Sequence, residues 1–114
     1  MTERLSLRLK AILEALPLSP CIRVLEVGCG PGALTRAMSS AIGSGYVLGI
    51  DRSDRAIAQA IAGSKEQVAA GRLSFRTVAA EDFVMGPGEA PFDLVVAVRV
   101  GALDRSEERR VGEE

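Results

Sequence analysis

The stretch VLEVGCGPGA, residues 24–33, decides the fold of this chain. Its apolar opening is followed by glycines at positions 28, 30 and 32, and the helix-like segment LTRAMSSAI, residues 34–42, comes next. Glycine is required where the backbone takes a positive φ or where a ligand lies against it. A helix that begins at such a loop directs its first N–H groups at whatever occupies the loop. We therefore predict a strand, a ligand-binding loop and a helix, with a plain strand-to-helix turn as the alternative.

The rest of the chain repeats this alternation of apolar runs and helical segments. An amphipathic helix is predicted over residues 3–16, ahead of the first strand. The predicted strands are 21–27, 46–50, 73–78 and 92–100, and the predicted helices between them are 34–42, 53–62 and 64–70. Strands that alternate with helices in this way form a parallel sheet with right-handed crossovers. The predicted fold class is therefore α/β.

Composition limits the classes of function open to the chain. It has 114 residues and a net charge of −1, with 14 basic and 15 acidic side chains scattered along it, so there is no footprint for nucleic acid or an anionic membrane. The longest apolar run, residues 94–98, is too short to cross a bilayer. Charges between positions 3 and 14 exclude the apolar centre of a signal peptide. We expect one soluble, cytoplasmic domain.

Few of the side chains that enzymes commonly use in catalysis are present. The chain has no histidine, and its two cysteines, Cys21 and Cys29, do not have the spacing of metal ligands. Metal catalysis and histidine-assisted nucleophiles are therefore not expected, and no metal site is predicted. Cys29 lies inside the glycine loop, either as a small residue that fills a tight turn or as a thiol activated by the helix N-terminus.

Polar residues follow the predicted strands at the edge where an open parallel sheet binds its ligand. Asp51 follows the second strand and stands 23 positions after Gly28, about the separation at which a carboxylate accepts hydrogen bonds from both hydroxyls of a ribose. The segments 81–83 and 99–103 follow the third and fourth strands. This pattern predicts a nucleoside ligand; the alternative for Asp51 is that it caps the helix that begins near Ser53.

Two classes of nucleoside ligand fit the loop. Gly28, Gly30 and Ala33 satisfy the G-x-G-x-x-A pattern of dinucleotide-binding proteins, and Arg52 suits a 2′-phosphate. Glu26 argues against a dinucleotide, because its carboxylate lies near the place of the pyrophosphate and like charges repel. The same carboxylate suits a ligand that carries an ammonium group. An NAD(P)-binding Rossmann protein therefore remains as an alternative.

Four landmarks, taken in order, resemble the class I S-adenosylmethionine-dependent methyltransferases. Residues 24–33 resemble motif I, Asp51 in GIDRS resembles the acidic residue that ends the second strand, and AEDF (80–83) and FDLVV (92–96) resemble the later motifs. The resemblance covers about residues 20–104. It implies a Rossmann-like, three-layer α/β/α fold with strand order 3-2-1-4. It also implies S-adenosyl-L-methionine as the cofactor and in-line transfer of its methyl group to an acceptor, which we expect to be a small molecule.

The resemblance also assigns roles to individual residues. Glu26 and the backbone of residues 28–32 would hold the methionine part, and Asp51 the ribose hydroxyls. Asp82, or alternatively Glu81, would accept from the adenine amino group, unless both belong to a solvated turn. The predicted cofactor-binding residues are Glu26, Gly28, Cys29, Gly30, Gly32, Asp51, Arg52, Glu81, Asp82, Phe83 and Arg99, the last with a plain surface charge as its alternative. No catalytic base is identified; Asp104 is the nearest carboxylate by position.

The chain departs from the family in its length. The family sheet has seven strands, whereas four are predicted here. We therefore expect residues 1–104 to be the N-terminal, cofactor-binding part of a truncated methyltransferase domain. In residues 105–114 seven of ten side chains are charged, which predicts a disordered tail. A nonenzymatic four-stranded interaction module is the remaining alternative.

Overall fold

A single parallel sheet organises the part of the chain that the structure describes, residues 5–98 of a computed structural model. The strands are β1 (Arg23–Val27), β2 (Tyr46–Asp51), β3 (Leu73–Thr77) and β4 (Leu94–Ala97). The helices are α1 (Leu7–Ala15), α2 (Ala33–Ile42), α3 (Asp54–Ala62) and α4 (Lys65–Ala69), with a single 3₁₀ turn at Ala80–Asp82. The sheet order is β3-β2-β1-β4, and every pair is parallel, which confirms the predicted topology.

The strand register brings the carboxyl ends of all four strands to one edge. Leu25 in β1 lies between Leu48 of β2 and Val95 of β4. β1 is therefore a central strand, as its apolar sequence on both faces predicts. Since β2 lies beside it, the loop after β1 and the residues that follow β2 become neighbours in space.

One face of the sheet carries α1, α2 and α3. The buried core of this face draws on all four strands and on α2, and consists of Val24, Leu34, Met38, Ile42, Val47, Leu73 and Val96. Apolar residues of α1, among them Leu9 and Leu13, pack against it. α3 belongs to the same layer, because its Ala60 and the Phe75 ring of β3 both lie beside Gly32. Burial of these apolar side chains is the main force that holds the helices to the sheet.

The connection between β3 and β4 covers the other face. Leu25, Leu48 and Ile50 form a second buried cluster, and residues of the connection pack against it, including Phe83 and Phe92. Their rings lie 6.4 Å apart. Two arginines lie over these rings, Arg76 over Phe83 at 5.3 Å and Arg23 over Phe92 at 5.2 Å. Within residues 5–98 the second covering layer is thus this connection and not a helix.

Three elements begin later than predicted. α1 begins at Leu7 and not at residue 3, because Ser6 is its N-cap and the Ser6 hydroxyl accepts from the N–H of Leu9 at 3.1 Å. β1 begins at Arg23 and not at residue 21, since residues 20 and 21 form a turn. β4 begins at Leu94 and not at residue 92. The predicted end of that strand, residues 99 and 100, lies outside the described residues, as does the predicted tail 105–114.

A glycine in the middle of β2 lets two side chains pack against the strand. A Cβ at Gly49 would lie 3.0 Å from the Cys29 sulfur and 3.0 Å from a ring carbon of Phe75. Both neighbours are held in place, Cys29 by the glycine loop and Phe75 by β3. The space above Gly49 is therefore filled, and the strand depends on having no side chain there.

We expect Gly49→Ala to lower the free energy of unfolding by about 1–3 kcal/mol, the usual cost of one extra carbon in a filled core. Urea denaturation followed by circular dichroism measures this change. Gly86→Ala is the matched control, because the nearest atom to a Cβ at Gly86 is a Glu89 carboxylate oxygen at 3.7 Å, an ordinary contact. Equal stability of the two variants would contradict the packing described for Gly49.

Candidate functional site

The glycine loop turns sharply out of β1 and is tied to β2. The N–H groups of Gly28 and Cys29 both donate to the carbonyl oxygen of Ile50, at 2.8 and 3.0 Å. The loop glycines at 28, 30 and 32 have φ values of 74°, 57° and 91°, which L side chains rarely adopt. At Gly32 the requirement is twofold, because a Cβ there would lie 3.1 Å from the Ala60 Cβ and 3.2 Å from the Phe75 ring.

Asp51 joins the loop to the start of α3. Its Oδ2 accepts from the N–H of Gly30 at 2.9 Å, and its Oδ1 accepts from the N–H of Ser53 at 2.9 Å. A carboxylate oxygen has two lone pairs, so each of these oxygens can accept one further bond. The side chain that caps α3 is that of Ser53, whose hydroxyl accepts from the N–H of Ala56. Asp51 is therefore oriented by the backbone and keeps acceptor capacity toward a ligand.

Glu26 is a buried carboxyl group that borders the cavity described next. Only 3% of the residue is exposed. The hydroxyl of Thr35, in the first turn of α2, donates to Glu26 Oε1 at 2.6 Å. Burial raises the pKa of Glu26 to about 7; the Thr35 hydrogen bond lowers it and the negative charge of Asp51 raises it further. A carboxyl group in this position is ready to pair with a cation.

A cavity of about 740 Å³ opens at the carboxyl edge of the sheet. The polar side chains that line it belong to Glu26, Asp51, Arg52 and Glu81, which stand at the ends of β1, β2 and β3. Apolar residues line the rest of the cavity, among them Leu9 of α1, Leu34 of α2, Ala97 and Val98 at the end of β4, and residues 78–80 after β3. Its volume lies in the range of sites for small molecules and cofactors, roughly 300–1,000 Å³. The cavity thus combines a few charged side chains with a lining that is mostly apolar.

Seven of the predicted site residues line the cavity, and three others that the structure describes do not. The residues that line the cavity are Glu26, Gly28, Cys29, Gly30, Asp51, Arg52 and Glu81. Gly32, Asp82 and Phe83 are not among the lining residues: Gly32 packs against α3, Asp82 is exposed, and the Phe83 ring packs on the opposite face of the sheet. Of the two candidate carboxylates after β3, Glu81 is the one at the cavity. Arg99 and Asp104 lie outside the described residues.

The Cys29 thiol is held in its protonated form. The residue is 7% exposed, and burial raises the pKa of the thiol to about 12, with the nearby carboxyl groups of Glu26 and Asp51 adding to the increase. A thiol nucleophile must be deprotonated to react. Of the two interpretations of Cys29, the structure therefore supports the small residue that fills a tight loop.

Thr35 and Leu9 are among the residues of the site that were not predicted from the sequence. Thr35 contacts Glu26, and Leu9 of α1 lines the cavity. Neither belongs to a motif. The helical periodicity after the loop places Thr35 three residues past Gly32, on the first turn of α2. Only the packing of that turn against β1 shows that its hydroxyl reaches the carboxyl group.

Residues 5–98 contain no cluster of three or more histidine, cysteine, aspartate or glutamate side chains that could hold a metal ion. Over the same range, no helix has the length and apolar character needed to cross a membrane.

Several of the known proteins that are similar to this chain are methyltransferases. Trans-aconitate 2-methyltransferase of Streptomyces avermitilis is 34% identical over 89 residues, which is 78% of this chain and 32% of that enzyme. A SAM-dependent methyltransferase of Geobacter sulfurreducens, crystallised with S-adenosyl-L-homocysteine, superposes with a TM-score of 0.66 at 27% identity and covers 81% of this chain and 35% of its own.

A second crystal structure agrees with the first. The SAM-dependent methyltransferase of Thiobacillus denitrificans, also in complex with S-adenosyl-L-homocysteine, has a TM-score of 0.66 at 25% identity, over 81% of this chain and 36% of that one. The chain thus spans about a third of the length of these relatives. Residues 24–114 match the family described as "Methyltransferase domain". Since this match takes in most of the chain and all four strands but the first residue of β1, the protein belongs to the methyltransferase domain family.

Proposed function

We propose that this chain binds S-adenosyl-L-methionine in the cavity at the carboxyl edge of its sheet. The observation that carries the proposal is the hydrogen bond from the Gly30 N–H to Asp51, which fixes a carboxylate beside the glycine loop. Glu26 borders the same cavity with its buried carboxyl group. Two relatives of similar fold were crystallised with S-adenosyl-L-homocysteine, which supports the choice of ligand.

Each part of the cofactor has a chemically matched group at the site. The free lone pairs of Asp51 suit the two ribose hydroxyls. The Glu26 carboxylate suits the ammonium of the methionine part, since charge-assisted hydrogen bonds are the strongest of their kind. Glu81 and Arg52 line the same cavity, and we propose that Glu81 accepts from the adenine amino group and that Arg52 lies near the ring. The N-terminus of α2, which has no side-chain cap, favours the negative charge of the methionine carboxylate.

We further propose that the chain is the cofactor-binding part of an enzyme that transfers this methyl group to a small molecule, in the cytoplasm. When bound, the cofactor supplies a methyl group on a sulfonium, which is already a good leaving group. The protein then contributes alignment of the acceptor, which is worth as much as about 7–11 kcal/mol. Ala97 and Val98, at the end of β4, line the cavity on the side where we expect an acceptor. The name of the trans-aconitate relative supports a small-molecule acceptor.

We expect S-adenosyl-L-homocysteine to bind the purified chain with one site and micromolar affinity, measured by calorimetry. Asp51→Asn replaces one acceptor oxygen with a donor, which loses a ribose contact and opposes the Gly30 N–H. Affinity should fall at least about tenfold, the equivalent of one hydrogen bond to a charged group. Asp93→Asn is the matched control: Asp93 accepts from the Arg23 N–H at the opposite, amino edge of the sheet, away from the cavity.

The same titration with NADP tests the dinucleotide alternative. Binding of NADP with no binding of S-adenosyl-L-homocysteine would replace the methyltransferase proposal with that alternative. Absence of binding by either ligand to a folded sample would favour the interaction module. Unfolding curves of both aspartate variants show whether a loss of binding reflects a loss of fold.

Glu26→Gln should change cofactor affinity and protein stability in opposite directions. At pH 8 we expect affinity for S-adenosyl-L-homocysteine to weaken by about 1–3 kcal/mol, since an amide cannot pair with the ammonium as a charge does. Binding of NADP, if any, should not weaken. Calorimetric titration of the variant and of the parent protein at one pH measures the affinity for each of the two ligands.

The stability change follows from the pKa of Glu26. It is raised from 4.5 to about 7 in the folded protein, so the group stabilises the fold fully below about pH 4.5 and this contribution is lost as the pH rises to about 7. At pH 8 the variant, which buries no charge, should therefore have the higher free energy of unfolding, by about 1–3 kcal/mol. At pH 5 the difference should be small. A variant that is less stable at pH 8 would contradict this account of the buried carboxyl group.

A further inference from the structure

The contact between Thr35 and Glu26 joins the first turn of α2 to the end of β1. Thr35 is fully buried, and its hydroxyl lies 2.6 Å from Glu26 Oε1. Among residues 5–98, no other side chain forms a hydrogen bond to this carboxyl group. The glutamate side chain has rotatable bonds, and this contact is what selects the orientation in which the carboxyl group borders the cavity.

Arg52 is a cation that lines the same cavity, but the pKa of Glu26 is raised by burial and by Asp51 and is not lowered by any cation in the described part of the chain. Asp51 faces Glu26 from the end of β2, and Cys29 faces it from the loop. Its partners in register on the neighbouring strands are Gly49 and Val96, which do not titrate. With burial and a nearby aspartate, the carboxyl group of Glu26 has a pKa of about 7 and is therefore about half protonated at neutral pH.

We propose that Thr35 is a positioning residue that holds Glu26 toward the cavity, and that binding of the cofactor's ammonium group releases one proton from Glu26. This inference rests on the proposed function. The O–H bond of the neutral carboxylic acid breaks, its proton passes to the solvent, and the carboxylate that remains pairs with the ammonium. No electron is transferred, and no other reactant is needed.

Because a proton is released on binding, the affinity for the cofactor depends on pH. A bound cation stabilises the charged carboxylate, so the pKa of Glu26 falls when the cofactor binds. Affinity is then highest above about pH 7 and decreases as the pH falls through the free-state pKa. Between pH 8 and pH 6 the decrease should be about tenfold, because the deprotonated fraction of the free protein changes by that factor.

Calorimetry of the full chain with S-adenosyl-L-homocysteine between pH 5.5 and 8 tests this proposal. Titrations at pH 6 in phosphate and in Bis-Tris, which both buffer at this pH and differ in ionisation enthalpy, count the protons released; we expect about one per ligand bound. 5′-Methylthioadenosine is the ligand control, because it keeps the nucleoside and thioether but has no ammonium. Its affinity should not change over this range of pH.

Variants of Thr35 separate a positioning role from a purely structural one. Thr35→Val keeps the shape of the side chain and removes the hydroxyl, whose hydrogen bond lowers the pKa of Glu26. The midpoint of the affinity profile should therefore move to higher pH, by about half a unit or more. Thr35→Ser keeps the hydroxyl and should restore the midpoint of the parent protein. Glu26→Gln should give a flat profile, which provides a second test if Thr35→Val does not fold.

The outcomes are distinguishable from those of the proposed function. Absence of binding at every pH by a folded sample overturns the proposed function itself. Binding with equal affinity at pH 6 and pH 8 overturns proton release while leaving the cofactor assignment in place. A Thr35→Val profile with the midpoint of the parent protein overturns the positioning role.

Discussion

The attachment of the glycine loop to β2 is the constraint on which the rest of the site depends. Three consecutive loop N–H groups donate to that strand: Gly28 and Cys29 to the Ile50 carbonyl, and Gly30 to the Asp51 carboxylate. These bonds fix the path of the chain out of β1 and with it the first turn of α2. They also hold Asp51 where its remaining lone pairs meet the cavity. The same three backbone N–H groups thus fix the shape of the loop and the orientation of the Asp51 carboxylate.

A buried, charged carboxyl group beside this loop lowers the free energy of unfolding, and this destabilisation bears on the role of Glu26. A glutamate whose pKa is raised by burial weakens the folded state whenever it is charged. A glutamine would keep the Thr35 hydrogen bond without that cost, so stability alone does not account for Glu26. A cationic ligand stabilises the buried carboxylate and so offsets this destabilisation, whereas a pyrophosphate would repel the carboxylate and increase the destabilisation. The energetics of Glu26 therefore favour S-adenosylmethionine over a dinucleotide more directly than the glycine pattern does.

The fold was predictable from the sequence, and the site only in part. Alternating apolar runs and glycine stops determine the strand order once the family pattern is seen, and the 23-residue separation of Gly28 and Asp51 places both at one edge. Glu81 and Asp82 are adjacent acids in a single 3₁₀ turn, and of the two it is Glu81 that lines the cavity. Thr35 acquires its role through the phase of α2 against β1. Such details depend on how elements pack, which a linear pattern does not contain.

The aliphatic part of the cavity lining bears on the proposed chemistry. Ala97 and Val98 at the end of β4 and Leu34 of α2 line the cavity with no charge of their own. The cofactor would supply a sulfonium, whose positive charge would be concentrated before methyl transfer and more spread in the transition state. Apolar surroundings disfavour concentrated charge more than spread charge, so they raise the energy of the bound reactants more than that of the transition state. With the cofactor placed as proposed, Leu34, Ala97 and Val98 would thus aid transfer by excluding water, without any acid or base of their own.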